Sequence, residues 1–416
     1  MSASHARRAA VTGIGVVAPN GTSTDAFWKA TREGVCVLDP ITREGCEGMP
    51  LRVAGQVRDF DPPSAIEERY LVQTDRFTHF AMAAADLALE EAGLGRADTD
   101  AAPFSVGVVT AAGSGGGEFG QRELQQLWGK GSRFVGPYQS IAWFYAASTG
   151  QISIRGGFKG PCGVIAADEA GGLDALAHAA RGVQRGTDVI VAGATEAPLA
   201  PYSMVCQLGY EELSTVAEPD RAYRPFTTAA CGFVPAEGGA MVVVEAEESA
   251  RDRGAPVRAL VAGHAATFTG ASRWEESREG LAQAIRGALE DAGCAPEEID
   301  VVFADALGVP EADRAEVLAL ADALGPHAKR VPVTAPKTGV GRGLAAAAVL
   351  DVAAAVLAME QGVLPPTPNV FDVCHDLDLV TGRARATETR TALVLSRGLM
   401  GSNSALVLRR GAADAS

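Results

Sequence analysis

Apolar and polar positions along this chain fall into short units that occur twice. Ala84 to Gly93 reads AADLALEEAG, apolar residues at helical spacing closed by an acidic turn and a glycine stop, and leads through a polar stretch to SVGVVTAAG, a run apolar enough for a buried strand. Ala284 to Gly293, AIRGALEDAG, leads in the same way to IDVVFADALG. The opening strand AAVTGIGVV is matched by VRALVAGHAAT near residue 260, KGPCGVIAADEAGGLDALAHAA by KRVPVTAPKTGVGRGLAAAAVL, and TDVIVAGATEA by TALVLSRGLM. Matched pieces in the same order predict an α/β protein of two duplicated halves, each with a sheet buried between helices on both faces. The pattern is interrupted by charge, Gly and Pro in RDRGAPV, which places the boundary between residues 1–254 and 255–416. The Ala-rich stretch from Gly343 to Met359 carries Asp351 and is too short and too charged to span a bilayer, so it predicts a buried helix.

Composition narrows the function classes. With 36 Lys and Arg against 51 Asp and Glu, the formal net charge of -15 repels nucleic acid and anionic lipid alike. The Cys at 36, 46, 162, 206, 231, 294 and 374 form no CxxC pair and are odd in number, which fits free thiols in a reducing cytoplasm better than a disulfide framework. Gly and Pro break the N-terminal apolar run early and no small-residue cleavage site follows, so the run reads as a strand and not as an export signal. GIGVVAPNG lacks the GxGxxG spacing of a dinucleotide site, and no metal-ligand cluster stands out, so neither a metal nor a directly bound cofactor is expected.

Seven segments carry a resemblance along nearly the whole chain: VTGIGVVAPNG at 11 to 21, TGQISIRGGFKGP at 149 to 161, AGGLDA at 170 to 175, DRAYRPF at 220 to 226, GFVPAEGGA at 232 to 240, PKTGVG at 336 to 341 and SALVLRR at 404 to 410. Together they resemble the β-ketoacyl synthases of the thiolase superfamily, which implies a five-layered αβαβα fold. An active member places a nucleophilic Cys at the start of the helix that opens in the GLDA-like run, where the helix dipole and backbone donors stabilise a thiolate and an oxyanion. Counting back from Gly172, that position here holds Glu169. A carboxylate gains from the same helix terminus but cannot carry the acyl group. The two His that the family uses to assist decarboxylation fall on Asp305 in FADALGVPEADRAE and Arg342 in PKTGVGRGLAA, while the family's Lys337 and the Glu237 of GFVPAEGGA remain. Cys162 lies seven residues before Glu169 in the preceding strand, and none of the His at 5, 79, 178, 264, 327 and 375 adjoins either motif.

Within the family, AADEAGGLDA and the run from Trp143 to Pro161 resemble the chain length factors of type II polyketide synthases, whose segment reads VAEQAGGLDA-like with Gln in place of Cys. RGLMGSN also departs from the Phe- and Gly-rich gating loop of active enzymes. The resemblance implies a non-catalytic subunit that forms a heterodimer with an active ketosynthase alpha subunit and lines the tunnel for the growing poly-β-ketone. It places the phosphopantetheine arm of an acyl carrier protein at the partner. GSGGGEFGQRELQQLW is expected to begin a helix at about Gly117 or Glu118, with Gly117, Gly120 and Leu124 on one stripe matching the positions where the family varies bulk. Small side chains there imply a long tunnel and products of about twenty carbons or more. Two roles stay open for Glu169, a structural one that includes hydrogen bonding across the subunit interface and support of malonyl decarboxylation during priming. Two other functions also stay open: an independently active β-ketoacyl synthase or thiolase with an unconventional site, and a homodimeric scaffold without a tunnel.

Overall fold

In the computed structural model, residues 7–95, 102–270 and 273–411 are described, so His5 lies outside the described residues. The first half contributes β1 (Ala9–Val17), β2 (Val106–Ala111), β3 (Cys162–Ile165), β4 (Val189–Glu196) and β5 (Gly238–Ala246). The second contributes β6 (Ala259–Phe268), β7 (Val301–Phe303), β8 (Pro332–Thr334), β9 (Asp378–Leu379), β10 (Thr391–Arg397) and β11 (Ser402–Arg410). They form one sheet in the order β9-β8-β7-β10-β11-β6-β1-β5-β4-β2-β3. Outward from the β1/β6 seam, β1-β5-β4-β2-β3 and β6-β11-β10-β7-β8 repeat the same plan, antiparallel first and parallel beyond. The seam itself pairs only Ala9 with Val261, Ala10 with Leu260 and Val11 with Ala259.

Helices sort into three layers around the two half-sheets. Helix α1 (Arg76–Glu91) covers the outer face of the first, and α6 (Trp274–Ala292) with α7 (Pro310–Leu324) that of the second. Between the half-sheets, α4 (Gly171–Gln184) packs against α8 (Ala345–Gln361), which gives the αβαβα order. Three more helices border the site: α2 (Gly117–Lys130), α3 (Ala147–Gly156) and α5 (Pro201–Gln207). The Ala-rich stretch is the buried helix α8, in which every residue from Ala345 to Met359 is buried, Asp351 included. Among the described residues no helix is long and apolar enough to cross a membrane.

The repeat is legible in how backbone meets backbone. A Cβ on Gly13 or Gly15 would lie 2.0 or 1.9 Å from a carbonyl of α1, and one on Gly263 would lie 2.4 Å from the Ala288 carbonyl of α6. Only glycine lets each first strand approach its covering helix so closely. Both helices then stop on a glycine with positive φ, Gly93 at 67° and Gly293 at 56°.

Candidate functional site: a buried ion cluster beside an open cavity

Glu169 sits two residues before the first turn of α4, after Asp168 in a left-handed conformation (φ 54°). The Met400 N–H donates to Asp168 Oδ2 at 2.8 Å, so the β10–β11 turn holds this elbow closed. Ala306, next to Asp305, and Leu344, two residues past Arg342, also have positive φ. Backbone strain of about 1–3 kcal/mol per residue therefore gathers in the loops that follow β3, β7 and β8.

Three of the sequence-predicted residues come together there. Arg342 Nε pairs with Glu169 Oε2, and its Nη2 lies 2.8 Å from Asp305 Oδ1. The same guanidinium donates to the backbone carbonyls of Asp305 at 3.0 Å and Arg397 at 2.6 Å. Lys337 joins through Asp351 Oδ2 at 2.6 Å and the Ala304 and Asp305 carbonyls at 2.8 and 3.1 Å. All five side chains are buried. Within the chain, the partner of Glu169 is Arg342. Its Oε1 has no hydrogen-bond partner among the described residues.

Glu237 is not in this cluster. Just before β5, its carboxylate takes Arg43 Nη2 at 2.6 Å, Arg76 Nε at 3.0 Å and the Val57 N–H at 3.0 Å, and its own N–H donates to the Gly55 carbonyl at 3.0 Å. Cys162 is exposed on the edge strand β3. His264, in β6, meets Asp174 and Ser404 at 3.0 Å through its Nε2, away from the cluster.

The residue that the sequence reading missed is Arg397, fully buried at the end of β10. Its Nε lies 3.0 Å from Asp305 Oδ2, its Nη2 3.0 Å from Glu316 Oε2, its Nη1 2.9 Å from the Ala312 carbonyl, and its guanidinium 5.2 Å from the Trp274 ring centre. Glu316 in turn accepts the Asp305 and Ala306 N–H groups at 2.7 and 2.9 Å. Three cations therefore face four carboxyls in a dry interior. Burial raises Glu169 to about 7 against the pull of Arg342, and raises Asp351 to about 6 against Lys337. Burial works on Asp305 in the same direction, but Arg342, Arg397 and Lys337 together hold it down to about 2. One proton retained among Glu169, Asp351 and Glu316 makes the cluster neutral, which is how so many charges can share a core.

Beside the cluster lies a cavity of about 450 Å³ whose lining includes Gly117, Trp143, Glu169, Tyr202, Cys206 and Tyr210. Helix α2 starts at Gly117, where a Cβ would lie 1.9 Å from Ser203 Oγ of α5. Gly120 sits 3.1 Å, at its missing Cβ, from the Trp143 ring, and Leu124 is on the surface, 39% exposed. Of the stripe, only Gly117 reaches the cavity. Two buried carboxylates hold this wall: Asp75 accepts the Phe119 N–H at 2.7 Å, and Glu196 accepts Gly113 N–H at 2.5 Å and Ser114 Oγ at 2.7 Å.

Sequence comparison matches residues 6–250 to the N-terminal domain and 258–371 to the C-terminal domain of β-ketoacyl synthase. The chain belongs to the β-ketoacyl synthase family. A "Putative polyketide beta-ketoacyl synthase 2" of Streptomyces coelicolor is 76% identical over 98% of this chain and 96% of its own length. The "Tetracenomycin polyketide synthase ketoacyl synthase beta subunit" of Streptomyces glaucescens is 50% identical over 96% of this chain and 98% of its own. The solved structure titled "The ishigamide ketosynthase/chain length factor" superposes with a TM-score of 0.88 at 28% identity, covering 98% of this chain and 100% of that one. Within the β-ketoacyl synthases, the chain is of the ketosynthase-beta, or chain length factor, type of type II polyketide synthases.

As a β-ketoacyl synthase, the chain keeps the helix terminus, the elbow and the Lys of its family while the side chains around them form ion pairs. A carboxyl engaged by Arg342 has no thiolate chemistry to offer, and neither Asp305 nor Arg342 supplies an imidazole that could donate to an enolate. Pairing does what the sequence alone could not reveal: it joins Glu169, Asp305 and Arg342 into one packed unit.

Proposed function

We propose that this chain is the non-catalytic subunit that pairs with an active ketosynthase and shapes the tunnel in which the poly-β-ketone grows. The observation that carries this reading is Glu169, locked on Arg342 where a nucleophile would stand. The partner surface is the edge of β3 together with the exposed Ile141, Trp143, Phe144 and Tyr145 and the surface of α2. An aromatic patch of that extent, next to an unpaired strand edge, fits an obligate heterodimer. The phosphopantetheine arm of an acyl carrier protein then delivers malonyl units at the partner's Cys. Gly117 and Gly120 put no side chain into the α2 wall, where Ser203 and Trp143 close on them, and the lack of bulk at these two positions supports a long product, about twenty carbons or more.

The test is reconstitution with malonyl-carrier protein and an acyl donor. The chain alone is expected to form no thioester and extend nothing, whereas the heterodimer does both. In the heterodimer, Leu124→Phe, alone and with Gly117→Phe, is expected to shorten the product; Gly117→Phe also forces Ser203 to turn away. A thioester on the isolated chain would support an independent enzyme instead, and unchanged product length in both variants would end the tunnel reading.

A further inference from the structure

A second cavity, of about 510 Å³, lies between α1 and α3 and shares no lining residue with the one beside Glu169. We infer that it is a binding site for a small amphipathic organic cation, an amine or guanidine carried on an apolar body. The inference does not rest on the tunnel reading. Its first support is the floor. Met82 and Leu89 stand two helical turns apart on one side of α1, and Ile152 of α3 and Phe158 of the link into β3 close on them. Met82, Ile152 and Phe158 are buried and Leu89 is half-buried, so the floor is apolar and is part of the folded core. Only glycine at 156 leaves the Phe158 ring in this place, since a Cβ there would lie 2.3 Å from it.

The second support is the charge of the rim. Glu67, Asp86 and Glu90 line the same cavity, Asp86 and Glu90 one turn apart on α1. Against them stands Arg155, whose Nε lies 2.6 Å from Glu67 Oε2 and whose Nη1 lies 2.5 Å from Asp86 Oδ2. Glu90 has no ion-pair partner among the described residues. The Arg253 guanidinium near Gly93 is already taken by Glu245 at 2.5 Å. One guanidinium against three carboxylates leaves the mouth of an apolar cavity negative. Such a mouth repels an anion, and a wholly polar cation gains nothing from the floor, whereas a molecule with an apolar body and one cationic end uses both. The volume falls within the range of about 300–1,000 Å³ that holds small organic ligands. Ion pairs at an exposed rim are weak singly, a few-fold in affinity each, so the charge preference of the whole rim is expected to be roughly tenfold.

The experiment titrates the complete heterodimer with octylamine, octan-1-ol and octanoate by calorimetry, three probes that share one body and differ in the charge of one end. We expect octylamine to bind roughly tenfold more tightly than octanol, with octanoate weakest, and this order to fade in about 0.5 M salt. Leu89→Trp fills the cavity from its half-buried floor and is expected to lower octylamine affinity at least tenfold. Glu90→Lys reverses an exposed rim charge without touching the floor; it is expected to lower octylamine affinity roughly tenfold and to leave octanol affinity unaltered. If Leu89→Trp does not fold, Glu90→Lys decides alone. Equal affinity for the three probes, no saturable binding of octylamine up to about 1 mM, or octylamine binding that Glu90→Lys leaves unaltered overturns the site, the last because the amine then sits elsewhere on the heterodimer.

Discussion

The two halves of this molecule share a sheet plan and differ in what hangs from it. Between β2 and β3 the first half inserts residues 112–161, which hold α2, α3 and the exposed Leu124, Trp128, Tyr138, Ile141, Trp143, Phe144 and Tyr145. The equivalent link between β7 and β8, residues 304–331, holds α7 and a 3-10 turn and exposes no large apolar side chain. Charge is distributed the other way. Asp305, Glu316, Lys337, Arg342, Asp351 and Arg397 all come from the second half, and Glu169 alone from the first. One copy of the repeat carries an exposed aromatic surface, and the other supplies most of a buried charged cluster.

The comparison breaks most visibly at Arg397. Arg397→Ala leaves Asp305 and Glu316 short of a cation in a dry interior, and the heterodimer is expected to lose about 3–5 kcal/mol of stability in this chain, read by denaturant unfolding. Combining Arg397→Met with Asp305→Asn and Glu316→Gln is expected to recover much of that loss, since replacing buried charges together removes the desolvation cost along with the attraction. A single substitution that costs less than about 1 kcal/mol would mean that the cluster is not structural.

A smaller effect tests the first half. Trp143→Ala with Tyr145→Ala is expected to weaken pairing with the ketosynthase by about 2 kcal/mol or more, measured as Kd, because buried aromatics dominate interfaces of this kind. Phe371→Ala removes a side chain that is 75% exposed but lies in the second half, and is expected to leave Kd unchanged. The opposite ranking would move the partner surface to the other face.

How much of this could be read from the sequence follows from distance along the chain. The repeat was legible because each unit, helix, glycine stop and strand, is local, and the start of α2 at Gly117 follows from a local glycine run. Arg397 was not, because its partners Asp305 and Glu316 lie 92 and 81 residues away and an Arg in RGLMGSN reads as surface. The Arg342 partner of Glu169 is 173 residues away, too far along the chain for spacing to pair the two. Spacing put Leu124 on the stripe correctly but could not say that the stripe leaves the cavity before reaching it.

The finest test compares Asp75 with Asp313, two buried carboxyls that do the same work in opposite halves. Asp75 receives the N–H groups of Phe119 and Phe77, and Asp313 those of Phe226 and Gly308, and burial raises each to about 7. A raised folded-state value favours the protonated form, so the stability each contributes is complete below about pH 4 and is lost as pH rises toward 7. At about 1.4 kcal/mol per unit of pKa difference, Asp75→Asn and Asp313→Asn should each flatten the fall in stability between pH 5 and pH 7, by an amount on the order of 1 kcal/mol once relaxation is allowed. Thermal unfolding of the heterodimer across that range measures it, and an unaltered slope would show that the carboxyl is already ionised. Product length separates the two. Asp75 anchors the first turn of α2, the proposed tunnel wall, so its amide variant is expected to blur the length distribution, whereas Asp313→Asn, which anchors the loops at Phe226 and Gly308 and makes no bond to α2, is expected to leave it sharp.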